Sequence, residues 1–125
     1  MELEGLEAVK HLRGHRSVRD GYLVNLLVHN IHVDPTIELT FEVSRDGEVR
    51  VVKLKLGDVR EFDYCYDILS RPEALAEVKC LMTGDGEFYL SLDPWDEREE
   101  FISDKDNDYF RSKMVTLVET LKQTS

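Results

Sequence analysis

The sequence predicts an α+β fold: a mostly antiparallel sheet of five to six strands, with N- and C-terminal helices packed on one face. Three observations carry this reading. Ile37, Leu39, Phe41 and Val43 alternate with Glu38, Thr40 and Glu42, the period-2 signature of a half-exposed strand. Asp46-Gly47 and Gly84-Asp-Gly86 join successive apolar runs by tight turns, which favours antiparallel pairing. Both ends of the chain repeat apolar residues at helical spacing instead.

In chain order, Leu3, Leu6, Val9 and Leu12 recur among Glu2, Glu4, Glu7 and Lys10 and predict a helix over 3–12 that Gly14 stops. Arg13, His15, Arg16 and Arg19 then make a basic connection. The run 22–33 is too apolar for a surface helix and predicts a central strand buried on both faces, closed by Asp34-Pro35. The strand of Ile37–Val43 follows, then the turn at Ser44–Gly47. Its return strand over 49–56 slips phase at Val51-Val52, which predicts a β-bulge there. Gly57-Asp58 reads as a break before a further strand with Phe62, Tyr64 and Tyr66 on one face. Ser70-Arg-Pro-Glu73 is a capping box that predicts a short helix over 71–77. Val78, Cys80 and Met82 pair across the glycine turn with Phe88, Leu90 and Leu92, and Asp93-Pro94 ends that hairpin. Residues 95–105 read as loop. Phe110, Met114, Leu117 and Leu121, with Val118 beside them, predict a C-terminal helix over 106–122.

Length and composition bound the function. The 125 residues amount to one domain, 1–125, with 42% hydrophobic content and a net charge of −10. Such acidity argues against nucleic acid, whose grip needs lysine and arginine, and against anionic membranes. The longest apolar stretch, Tyr22–Val28, falls far short of the ~20 residues of a membrane span. The acidic N-terminal residues lack the basic and apolar regions of a secretory leader. Cys65 and Cys80 make no disulfide framework and read as free thiols, so a cytoplasmic location is expected.

No constellation carries chemistry well. His11 and His15 have helical metal spacing, but Gly14 lies between them and no third ligand is near. His29 and His32 would point to opposite faces of a strand. Neither cysteine has an activating neighbour. Asp104, Asp106 and Asp108 match the opening of a calcium loop, but Tyr109 stands where glycine is needed and Val115 where glutamate is. Asp63 and Asp67 could share a face with Cys65, without a cleft to make them an acid–base pair. The Gly84-Asp-Gly86 turn is too short to cradle phosphate. No metal, no cofactor and no enzymatic role are expected.

Charge is more informative. Between Asp85 and Asp108 stand ten carboxylates against only Arg98 and Lys105, so this stretch holds most of the net charge. The lone tryptophan, Trp95, lies inside it. Aromatic anchors ringed by charge are typical of partner surfaces, the alternative being a tryptophan folded back onto the core to close the end of the sheet. The expected site is therefore Trp95, Asp96, Glu97, Glu99, Glu100, Asp104 and Asp106, facing a basic protein. By analogy of charge and fold class alone, this resembles bacterial immunity proteins, which neutralise a toxin by covering its basic active site. Two alternatives stand beside it. One is a homo-oligomeric structural domain, a homodimer for instance, joined at a sheet edge. The other is a small ligand-binding or enzymatic fold using the Phe62/Tyr64/Tyr66 face. Reversing Asp96, Glu97, Glu99 and Glu100 is expected to weaken partner binding and leave the fold intact.

Overall fold

The computed structural model describes residues 1–14, 16–65 and 74–122. They form β1 (Glu2–Glu4), α1 (Leu6–Arg13), β2 (Tyr22–His29), β3 (Thr36–Arg45), β4 (Glu48–Asp63), β5 (Lys79–Met82), β6 (Phe88–Asp93) and β7 (Asn107–Leu121). The strands make one antiparallel sheet in the order β2-β3-β4-β7-β6-β5. The short β1 pairs with the end of β7 that β6 leaves free, Glu4 opposite Thr116 and Glu2 opposite Val118.

The alternation in 37–43 acts as its period dictates. Ile37, Leu39, Phe41 and Val43 are fully buried on one face of β3. Asp46 and Gly47 both take positive φ, 54° and 80°, and close the β3–β4 hairpin with Arg45 opposite Glu48. On the inner face of β4 lie Val52, Leu54 and Leu56, and α1 adds Ala8, Val9 and Leu12 to the same core. Burying each such leucine or phenylalanine contributes ~1.5–3 kcal/mol. Gly21 permits the sheet and the preceding loop to approach closely. A Cβ on it would lie 2.6 Å from Val43 Cγ2 and 2.7 Å from the Glu42 carbonyl oxygen.

The structure corrects the sequence reading at six places. The fold is a mostly-β sheet of seven strands with one short helix, rather than α+β with a helix at each end. The N-terminal helix starts at Leu6, because Glu2–Glu4 pairs with β7; the stop at Gly14 stands. The C-terminal helix is strand β7. Met114 and Leu121, two members of its supposed stripe, are exposed, while Phe110, Ser112, Val115 and Leu117 are buried. β-Branched Val115, Thr116, Val118 and Thr120 favour the pleated backbone, and two strands claim it from either side. The run 22–33 is not central: β2 is an edge strand ending at His29, with only Leu23, Leu26 and Val28 turned to the core.

The fifth correction concerns β4, which runs through the expected break at Gly57-Asp58 without ending. Pairing with β3 is regular across Val51 and Val52, so no bulge lies there. The phase slips further on instead. After Leu56 the buried set resumes at Val59, and opposite it after Val115 at Ser112. Asp58 takes positive φ at this kink, and Lys113 lies 3.8 Å from its carboxylate. A register shift follows between Val59 and Glu61.

The expected capping box at Ser70–Glu73, together with Tyr66, Asp67 and His15, lies outside the described residues. Ala74–Val78 is not helical. No helix among the described residues is long and apolar enough to cross a membrane. The outward face of the sheet stays open, its Thr40, Lys53, Lys55, Thr116 and Val118 exposed or half-buried.

Candidate partner-binding loop

Between β6 and β7 the chain leaves the sheet at Pro94 and returns at Asp106. A loop of this length needs fixed points to hold a shape, and Asp106 is the main one. Its Oδ1 accepts a hydrogen bond from the Trp95 N–H at 2.9 Å. Its Oδ2 accepts from Lys79 Nζ at 2.9 Å, Tyr89 OH at 2.7 Å and the Ser103 N–H at 3.2 Å. The two ends and the middle of the loop are thereby tied to one carboxylate. Burial alone would raise the Asp106 carboxyl, but hydrogen bonds from Tyr89, Trp95, Lys79 and Ser103 outweigh it and hold the group below the ordinary carboxylate value. Burial, with the Asp106 hydrogen bond, pushes the Tyr89 phenol far above its usual value, so Tyr89 remains a donor.

Lys79 is 0% exposed, and its ammonium also donates to Glu99 Oε1 at 3.1 Å. Two carboxylates flank this cation, as a buried charge requires. Further along, Glu97 Oε2 accepts from the Val78 N–H, and its Oε1 pairs with Arg19 at 2.9 Å. Glu100 meets Arg13 at 3.3 Å, and Asp96 caps its own turn through Arg98. Upstream in the same acidic stretch, Glu87 holds Arg60 and Arg111. Most carboxylates of the stretch thus pair with cations, and most of those cations come from elsewhere in the sequence.

The expected site residues therefore divide. Asp106, Glu99 and Glu97 turn inward and build the loop. Trp95, Asp96, Glu100 and Asp104 face solvent wholly or in part. Trp95 is 64% exposed, with Lys105 Nζ 4.6 Å above its ring. Sequence reasoning missed Phe101, 62% exposed, and Ile102, which share the loop with it. It also missed Lys79, which stands between Val78 and Cys80 in the expected strand. Ten clustered carboxylates with their counter-cations far away in sequence were the available signal for internal pairing. Beneath the loop lies a cleft of about 240 Å³, lined by Glu61, Tyr89, Ile102, Ser103, Asp104, Asp106, Tyr109 and Arg111. Tyr109 donates to Glu61 and stacks on Tyr89 with ring centres 6.0 Å apart.

The other sequence candidates are placed as follows. His11 Nε2 lies 3.1 Å from Glu119 Oε1, a carboxylate that Arg50 also holds. His29 pairs with Glu38. Asp104 is exposed, and Asp108 accepts from the Cys65 N–H. Among the described residues, no three of His, Cys, Asp and Glu gather as a metal ligand set. Burial pushes the Cys80 thiol up to about 12, so it stays protonated, while Cys65 is exposed. Phe62 and Tyr64 pack on the fully buried Phe110, each with ring centres 6.3 Å from it, at the edge of the core.

The chain matches no family model, no curated protein and no solved structure.

Proposed function

We propose that this protein is a small binding domain, rather than an enzyme, that recognises a basic partner protein through the 94–106 loop. Trp95, Phe101 and Ile102 supply the apolar anchors, and Asp96, Glu100 and Asp104 the charged rim. The observation that carries this reading is the display of two large aromatic side chains on a loop pinned by a buried carboxylate. Exposed aromatics on a soluble domain need a reason, and a fixed backbone lets them bind without the entropic cost of ordering a mobile loop. A net charge of −10 favours encounter with a basic surface. Inhibition of a toxin in the cytoplasm, in the manner of an immunity protein, is the form of this function that size and charge fit. The two free cysteines accord with a reducing compartment.

The test uses the whole chain as immobilised bait, first against the products of neighbouring genes. Trp95→Ala/Phe101→Ala removes the anchors; both side chains are mostly exposed, but the Phe101 ring lies 5.6 Å from the buried Lys79 ammonium, so the melting temperature should fall by no more than a few degrees. Affinity for the captured protein should fall at least tenfold, and Asp96→Lys/Glu100→Lys should slow association at low salt. Capture that survives both double variants would remove the loop from recognition.

A further inference from the structure

We propose that the β2 edge is a homodimer interface, at which two copies of this chain pair their β2 strands antiparallel about a two-fold axis at Leu27. This is independent of the loop reading above. Among the described residues β2 takes ladder partners only from β3, so its outer N–H and C=O groups face away from the sheet. Soluble proteins protect such an edge with charge or proline. This one has neither: Tyr22-Leu-Val-Asn-Leu-Leu-Val-His29 contains no lysine, arginine, aspartate, glutamate or proline. Its one protecting device is the irregularity between Leu23 and Asn25, a register shift that leaves 25–29 in regular pairing with β3. Tyr22, Val24 and Leu27 are exposed along the strand, and Ile31 and Val33 in the turn beyond it, Val33 at 81%.

The occupant follows from charge. A molecule of net charge −10 repels its own copies over most of its surface, and a basic partner would seek carboxylates. An uncharged strand with exposed apolar side chains suits neither repulsion nor basic recognition; it suits an identical strand. Centring the pair on Leu27 keeps every face in phase. Leu27 meets Leu27 of the second copy on the outward face, and Leu26 meets Val28 on the core face. Asn25 then stands opposite His29, and Ile31 of one copy falls opposite Leu23 of the other; the ladder ends there, because the Gly21 carbonyl already accepts from the Leu75 N–H at 2.8 Å. The nearest carboxylate on that face is Glu38, opposite Leu27 on β3. In the dimer, two Glu38 side chains are three strand spacings apart, ~14 Å. That exceeds the ~8 Å screening length at physiological salt.

The experiment is light scattering on the full chain across a concentration series, in reductant so that an exposed Cys65 disulfide cannot mimic the dimer. Wild type should give twice the 14.5 kDa chain mass. Leu27→Lys, which sets two like charges face to face, should give the monomer mass with an unchanged circular dichroism spectrum. Amide exchange gives a second reading that needs no variant: protection of residues 25–29 should rise with protein concentration. A wild-type monomer at the highest concentration overturns the proposal. So does a dimer that Leu27→Lys leaves intact, or a dimer whose 25–29 amides exchange freely. Protection that appears only when a captured partner is added would assign the edge to that partner and overturn it as well.

Discussion

Asp106 and Gly21 are single residues on which neighbouring segments depend. Asp106 offers two oxygens to four donors, one of them a lysine that water does not reach. Asp106→Asn keeps the shape and loses the charge, so Lys79 is left with Glu99 alone. A buried cation deprived of a partner typically costs 3–5 kcal/mol. Because Glu99 remains, we expect a loss of about 3 kcal/mol, read from urea unfolding by circular dichroism. A change under about 1 kcal/mol would show that Glu99 alone satisfies Lys79. Gly21 works through space rather than charge. Its missing Cβ admits Val43 and the Glu42 carbonyl, and a backbone oxygen cannot rotate away. Gly21→Ala should therefore destabilise by about 1–3 kcal/mol, as overpacking does. An alanine variant as stable as wild type would mean that the loop before β2 can shift outward at no cost.

The 94–106 loop behaves as an element because its charges are internal. Reversal of four carboxylates, expected from sequence to be harmless to the fold, splits into two experiments. Asp96→Lys/Glu100→Lys alters partly or fully exposed groups and should leave the melting temperature within a few degrees. Glu97→Lys/Glu99→Lys places cations against Arg19 and the buried Lys79, so the loop should detach and Trp95 fluorescence should change. Equal stability of the two variants would refute this division. Acid probes the same element. Asp106 and Glu119 both sit below their ordinary values of 3.8 and 4.5, because hydrogen bonds outweigh the burial that would raise them. A depressed carboxylate contributes stability above its unfolded value and loses it as pH falls through the folded one. The domain should thus lose stability on acidification below about pH 4, and Asp106→Asn should flatten that dependence. An unfolding midpoint constant from pH 7 to pH 2 would contradict it. The loop itself was legible as loop, but whether Trp95 faced outward was not. The cations that neutralise it were not, because Arg13, Arg19 and Lys79 reach it only through the fold.

At the scale of the whole molecule, what sequence showed and what it hid follow from how local the cause is. The β3–β4 and β5–β6 hairpins were readable because period and turn act over a few residues. Strand order was not. β2 looks like a central strand because it is apolar, yet it stands at an edge. β7 looks helical because Phe110, Met114, Leu117 and Leu121 are spaced for a helix, yet half of them face outward. In β7 the ladders with β4, β6 and β1 decide, and those partners are distant in sequence. β7, the last of the described strands in chain order, is thus central in the sheet. Without it β6 keeps only β5 as a partner, β1 keeps none, and Leu54 and Leu56 lose the neighbours Leu117 and Val115. Contacts of such separation must be won against chain entropy before they contribute, so the sheet should form in one cooperative step late in folding. A chain ending at Asp106 should show no unfolding transition in urea and collapsed amide dispersion in its NMR spectrum. A dispersed spectrum from that truncated chain would mean that β2, β3 and β4 with α1 already make a stable domain, and that β7 joins a sheet instead of creating it.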